Sequence, residues 1–492
     1  MLFASPGRPA SRAALVLCAA LVAAAQPEEL ARKSRDAKQL MAAGRFSEAI
    51  PIYQSLCQAL PSNTGLRLNL ALAYHMAGRP REAVPEFERV LKVDPVNQPA
   101  LLSLGAALLE LNQPVKAVAP LTKFVALDPD NVEARGMLAN ALLSAGRAKE
   151  AAVHFRKLTA LTPQDPKAWY GLGRSYEALA QEAFMQLDKT ARGSAEWLAL
   201  IADTRVEQRQ YRSAFYFYKE ALARKPDLPG LHSALARVYR ATNHPDWAAA
   251  EEQKAGKPDC LKHKAACDFA ARRFLEAASS ASLYWRVRAY NELALEAFER
   301  LGAVPESVEM HALKAELLSN HGNKIEAVEE WRAAQRLAPG DARIERQLAT
   351  ALYAAGDYKN ALPLLRKFIQ QEPGSAELRF FIGDSLLHLE QPHEAIPELE
   401  IAARLNPKLL PAQAALGLAL MRDDKPRNAI PHLAAAAGID DDGSLHYQLA
   451  RAYQASGEME LAKATMEKYQ KIQQRAEAEK RDIEQKAQIT PP

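Results

Sequence analysis

The sequence predicts an all-α protein, an α-solenoid of stacked antiparallel helix pairs, and three observations carry that expectation. The first is an internal period of 34 residues. Gly78-Arg79-Pro80-Arg81-Glu82-Ala83 aligns with Gly146-Arg147-Ala148-Lys149-Glu150-Ala151 and with Gly356-Asp357-Tyr358-Lys359-Asn360-Ala361. Each block is followed twelve residues after its alanine by a proline: Pro95, Pro163 and Pro373. Repeats of this length are single helix pairs that cannot bury their apolar faces alone, so neighbours must stack. The second observation is where the prolines stand. The chain has 30 prolines and 22 glycines, and an interior proline costs a helix about 3 kcal/mol. Eighteen of them, however, recur at three places in the period. Eight stand at position 32 between units (Pro61, Pro95, Pro129, Pro163, Pro226, Pro339, Pro373, Pro407) and five at position 17 in the inter-helix turn (Pro80, Pro114, Pro245, Pro392, Pro426). Five more stand at position 22 (Pro51, Pro85, Pro363, Pro397, Pro431), expected to be the first turn of the second helix, where no intrahelical bond is lost. The third observation is composition. With 492 residues, 48% hydrophobic, 25% charged and only 4 cysteines, this is neither a disordered chain nor a disulfide scaffold. Its net charge of 63 − 59 = +4 gives no concentrated basic face for nucleic acid.

Taken in order, residues 1–25 read as a secretory signal. Arg8 and Arg12 form the positive flank, Ala13 to Leu21 an apolar run, and Ala23-Ala24-Ala25 a cleavage site before Gln26. The run is too short for a membrane span, which takes about 20 residues. Cys18 opens a lipoprotein alternative, against which stands the bulky Leu17 before it. Cleavage near Ala25 predicts an extracytoplasmic protein, periplasmic or secreted, with a mature balance of 61 − 59 = +2. Residues 26–165 hold four units, 30–63, 64–97, 98–131 and 132–165. Residues 308–476 hold five, 308–341, 342–375, 376–409, 410–442 (one residue short) and 443–476. Residues 477–492 suit a solvated end of the last helix rather than a binding tail.

Residues 166–307 break the period. Units 195–228 and 229–262 fit, while Tyr176-Glu-Ala-Leu-Ala-Gln-Glu-Ala-Phe184 matches Tyr290-Asn-Glu-Leu-Ala-Leu-Glu-Ala-Phe298, 114 residues later. This predicts a duplicated longer module with an extended second helix, either a degenerate spacer or an embellishment that makes a specific contact. Residues 257–282 read as a clipped unit that a Cys260–Cys267 disulfide would staple in an oxidising compartment. Free thiols, or metal binding with His263 as a third ligand, are the alternatives; a structural zinc site wants four ligands. Cys57 reads as a packed small hydrophobe.

The eleven units resemble the tetratricopeptide repeat family. In the unit from Thr64 the matches are Leu70, Ala71, Tyr74, Gly78, Ala83, Phe87 and Pro95; in that from Val308 they are Ala315, Gly322, Ala327, Trp331, Ala334 and Pro339. The resemblance implies a right-handed superhelix. Small residues at positions 8 and 20, such as Gly105 with Ala117 and Gly383 with Ala395, let paired backbones approach. It further implies a concave groove lined by first-helix positions 2, 5, 9, 12 and 13. Here those positions give Leu68, Leu72, His75 and Met76, then Leu102 and Leu109, then Asn140 and Leu143. In the C-terminal run they give Arg343, Arg346 and Tyr353, then Phe380, Asp384, Leu387 and His388, then Leu418, Met421 and Arg422, then Tyr447 and Arg451. Apolar residues facing a groove mark binding sites when they cluster. The clamp by which some family members grip a C-terminal carboxylate is not expected, because of its elements only Asn69 survives; Ser34, Lys38, Pro99 and Ser103 stand at the others.

No catalytic chemistry stands out. There is no H-E-x-x-H, P-loop or G-x-S-x-G, Gly171 and Gly173 read as helix packing, and the 11 histidines are scattered. Asp440-Asp441-Asp442-Gly443 lacks the glutamate spacing of an EF-hand. The sequence therefore predicts a non-enzymatic scaffold without cofactor, binding peptides or helices of partner proteins in its groove and meeting membranes only through partners or a lipid on Cys18. An architectural arm of an envelope assembly or secretion complex, and an enzyme with a site in 166–307, are the alternatives.

Overall fold

The computed structural model describes residues 28–486 and 488–492; the expected signal segment, Cys18 and the cleavage site lie outside the described residues. Among the described residues every regular element is helical. The chain divides into two compact units: one runs to Leu179 and adds Leu293–Arg300, the other holds Ala180–Glu292 and Leu301–Pro492.

In the first unit α1 (28–42) precedes α2 (Phe46–Ala59), α3 (Thr64–Met76), α4 (Pro80–Val93), α5 (Gln98–Glu110), α6 (Pro114–Leu127), α7 (Val132–Ser144) and α8 (Ala148–Leu161). From α2 to α8 each helix packs on the next, and the first helices of successive repeats, α3, α5 and α7, also touch one another. The repeats start in the same way. Asn63, Asn97 and Asn131, each the last residue of a period, accept the backbone N–H of Leu66, Ala100 and Ala134 at 3.0–3.1 Å, which satisfies a donor the helix cannot. They also turn in the same way. Position 15 is left-handed in every repeat, at φ 71° for Gly78 and 75° for Gly146, and it stays left-handed where glycine is missing, at Asn112, Arg209, Asn243, Glu390 and Asp424.

The position-22 prolines are not in the first turn of the second helix, contrary to expectation. Pro85 is the sixth residue of α4 and lies inside it, as do Pro51, Pro363, Pro397 and Pro431 in their helices. Each removes an intrahelical bond to the carbonyl four residues back. All five are exposed, so that carbonyl is left on a face where water can take the donor's place.

Close approach of paired helices depends on position 8, which faces the leucine at position 24 and, at Gly383, the backbone of position 20 as well. A Cβ on Gly105 would stand 2.5 Å from Leu121, and one on Gly383 would stand 2.5 Å from Leu399 and 3.2 Å from the Ala395 carbonyl. Glycine thus makes room chiefly for the leucine at position 24. Position 4 carries a polar side chain in six repeats, bonded to position 23 on the partner helix. The pairs are Arg67–Glu86 (2.8 Å), Arg135–His154 (3.1 Å), His232–Glu251 (2.5 Å), His311–Glu330 (2.6 Å), Arg379–Glu398 (2.6 Å) and Gln413–His432 (2.7 Å).

The irregular stretch begins with α9 (Pro166–Ala191), a single helix of 26 residues. Then come α10 (Ala195–Glu207), α11 (Tyr211–Arg224), α12 (Leu231–Ala241), α13 (Pro245–Lys254), the short α14 (Lys264–Ala270) and α15 (Phe274–Ala278), and the 20-residue α16 (Leu283–Gly302). The duplicated blocks do not precede long second helices; each lies within one long helix, α9 or α16. Gly173 of α9 sits under the ring of Phe298 from α16, where a Cβ would come within 2.2 Å, so these two helices meet.

The second unit continues with α17 (Val308–Asn320), α18 (Lys324–Leu337), α19 (Ala342–Ala354), α20 (Tyr358–Gln371), α21 (Ala376–His388), α22 (Pro392–Leu405), α23 (Leu410–Arg422), α24 (Pro426–Ala436), α25 (Ser444–Ala455) and α26 (Met459–Lys486). One apolar core runs through α17 to α25, including Trp331, Leu365, Phe368, Leu399, Leu416 and Leu433. Residues 477–486 continue the last helix. Residues 488–492 depart from the expected solvated end: Ile489 packs against the core of α9 to α16, and the Thr490 carbonyl accepts a 2.7 Å hydrogen bond from Tyr239.

Candidate functional site

In the first unit the expected groove residues stand on the first helices α3, α5 and α7. Leu68, Leu72, Leu102, Leu109 and Leu143 are half-buried, Asn140 is exposed, and Met76 is 55% exposed. His75 Nε2 lies 3.0 Å from Glu110 Oε1 and ties α3 to α5.

The C-terminal set is different in character. Tyr353 on α19 and Phe380 on α21 are half-buried, with ring centroids 6.4 Å apart. They belong to a larger aromatic group that includes Phe381, 4.6 Å from Tyr353, and Tyr358, which stacks on His388 at 4.6 Å. At its centre is Asp384, which accepts the Tyr353 hydroxyl at 2.7 Å and lies 3.7 Å from His388 Nε2. Burial, then this bond to Asp384, pushes the Tyr353 phenol well above its ordinary range, so it stays a donor at any physiological pH. Sequence reasoning missed Tyr358 and Phe381, which stand at positions 17 and 6; the Phe380-Phe381 doublet was the available signal.

Two expected residues are placed otherwise. Leu387 is 3% exposed and belongs to the core, because α23 closes against α21 and its Arg422 bonds the Leu387 carbonyl at 2.8 Å. Arg346 lies 4.7 Å over the buried ring of Phe368 and pairs with Glu372, so its charge is engaged by its own repeat. Leu418 and Met421 pack half-buried against the core, Tyr447 faces Tyr469 at 5.6 Å, and Arg451 is exposed.

Cys260 and Cys267 are joined in a disulfide that ties the segment before α14 to that helix. Both sulfurs are consumed, which leaves His263 without the thiolates the metal alternative required. Among the described residues no group of three His, Cys, Asp or Glu is arranged to hold a metal. The Asp440–Asp442 carboxylates serve the start of α25: Asp440 accepts the N–H of Leu445 and His446, and Asp442 that of Ser444, at 2.7–3.1 Å. Cys57 is buried, and burial raises its thiol pKa, which suits a packed side chain. No described helix is long and apolar enough to cross a membrane.

A polar cluster of the middle is internal. Arg288 of α16 lies 5.1–5.5 Å from the rings of Phe269, Tyr284 and Trp285 and 3.6 Å from Asp203. Asp203 also accepts the Tyr218 hydroxyl at 2.6 Å. Burial works against the Arg288 charge, but Tyr284 and Asp203 outweigh it and hold the guanidinium protonated. The cluster ties α10, α11 and α16 together where the regular period fails.

Models of the tetratricopeptide repeat match residues 40–108, 108–175, 346–409 and 443–475. No curated protein sequence matches the chain. Among solved structures it is similar to MamA (41 to end) from Desulfovibrio magneticus RS-1, at 21% identity over 34% of this chain and 95% of that one, with a TM-score of 0.31. It is similar to YrrB, described as a TPR protein with an unusual peptide-binding site, at 23% identity over 34% and 87%, TM-score 0.29. It is also similar to yeast Tom70, at 14% identity over 93% and 96%, TM-score 0.29. The matched models and the helix pairs stacked in register lead to one conclusion: the chain is a tetratricopeptide-repeat protein, of a kind that generally binds other proteins.

Proposed function

We propose that this protein is a non-enzymatic extracytoplasmic scaffold that holds an extended peptide or a helix of a partner protein against the first-helix face of its repeats. The observation that carries this reading is the half-buried aromatic group around Asp384. Tyr353, Tyr358, Phe380 and Phe381 present ring surface without being sealed in the core, and aromatic side chains of this kind dominate binding hot spots. Leu68, Leu72, Met76, Leu102 and Leu109 supply a second, aliphatic contact surface. The extracytoplasmic setting is supported by the Cys260–Cys267 disulfide, since such bonds persist in oxidising compartments, and by the signal-like residues 1–25. In the test, Leu68→Glu, Leu109→Glu, Phe380→Glu and Tyr353→Ala are compared with the unaltered protein for partners captured from the native cell envelope. Loss of the same partners with unchanged helicity is expected; an unchanged partner set would overturn the proposal.

A further inference from the structure

The last residues of the chain, Gln488-Ile489-Thr490-Pro491-Pro492, lie on the middle of the second unit, and two contacts of different kinds hold them. Tyr239 of α12 donates its hydroxyl to the Thr490 backbone carbonyl at 2.7 Å, a contact that asks only for an extended main chain. Ile489 is half-buried against the core of α9 to α16, a contact that asks for a branched aliphatic side chain.

The receiving surface is braced by ring contacts in which the tail takes no part. Tyr239 is fully buried up to its hydroxyl, packed at 5.7 Å against both Phe215 and Trp247, and Trp247 is itself stacked on His244 at 4.2 Å. Its phenol is pushed up to about 12 by burial and by Glu251 nearby, so the hydroxyl remains protonated and free to donate. The tail is also prepared for binding. The residue before a proline is biased toward extended backbone, and a Pro-Pro end favours the polyproline conformation, so Thr490-Pro491-Pro492 loses little freedom on docking.

We propose that the surface around Tyr239 is a peptide-binding site whose resident ligand is the chain's own C-terminal segment, and that it recognises an aliphatic residue followed by X-Pro-Pro in extended form. None of the residues that form it is among those assigned to partners above, and its test involves no such partner.

The experiment uses the full chain, a chain ending at Lys486, and a labelled synthetic peptide of residues 484–492. The truncated protein is expected to bind the peptide, with the full chain binding it at least tenfold more weakly because its own tail is in place. An Ile489→Asp peptide should not bind. Tyr239→Phe in the truncated protein keeps the ring packing and should weaken binding two- to tenfold, the worth of one hydrogen bond of about 0.5–1.5 kcal/mol. No binding to the truncated protein up to millimolar peptide, equal binding to both proteins, or undiminished binding of the Ile489→Asp peptide would each overturn the proposal. Circular dichroism of every variant establishes that it is folded.

Discussion

At the scale of single residues, the turn between paired helices carries most of the meaning. One residue there must take φ above zero, where a side chain costs roughly 1–2 kcal/mol and glycine costs little. Gly44, Gly78, Gly146, Gly322, Gly356 and Gly457 meet that need, whereas Arg209 and Glu390 are held at φ 58° and 60° by the packing on either side. Arg209→Gly and Glu390→Gly should therefore each stabilise the protein by about 1 kcal/mol, seen as a higher denaturant midpoint. Asn112→Gly and Asn243→Gly should gain less, because asparagine tolerates this conformation. The glycine at this position was readable in the sequence; that the turn keeps its shape without glycine was not, since nothing in Arg209 or Glu390 announces it.

At the scale of elements, the sequence made the alternation of helices and turns legible, because turn residues act locally. It set the start of the second helix too late, however: Pro80, Pro114, Pro245, Pro392 and Pro426, read in the inter-helix turn, are the first residues of their helices. What it hid were relations across helices. The polar bridges from position 4 to position 23 join residues 19 apart, a spacing without meaning on either helix taken singly. Leu387 passed for a groove residue because the period places it at position 12, yet it lies in the core. Phe298 meets Gly173 across more than a hundred residues, so α9 and α16 read as two copies of a module rather than as partners. The clipped pair α14–α15 offers a direct test. Its helices have 7 and 5 residues, too short to hold alone, and the disulfide closes a loop with a sequence separation of 7. By loop entropy such a closure is worth about 2–3 kcal/mol. Reduction, or Cys260→Ser with Cys267→Ser, should lose that much and raise amide hydrogen exchange in residues 257–282 before any other part of the middle.

At the scale of the whole molecule, stability is shared out between neighbours instead of residing in one centre, since most helices pack on the next in sequence. Unfolding then need not be all-or-none. The tryptophans provide a probe: Trp169, Trp197, Trp247 and Trp285 lie in the irregular middle and Trp331 in the C-terminal repeats, with none in residues 28–165. Urea transitions followed by tryptophan fluorescence and by far-ultraviolet circular dichroism should not coincide; superimposable curves would show a single cooperative block. The same neighbour-to-neighbour logic gives the chain a history during synthesis. Each helix pair can close once its own residues have been made, but the Tyr239–Thr490 bond must wait for another 251 residues. At about 5–20 residues per second that delay is on the order of ten to fifty seconds. For that interval every newly made chain carries the Tyr239 surface uncovered, open to whatever reaches it before the chain's own end does.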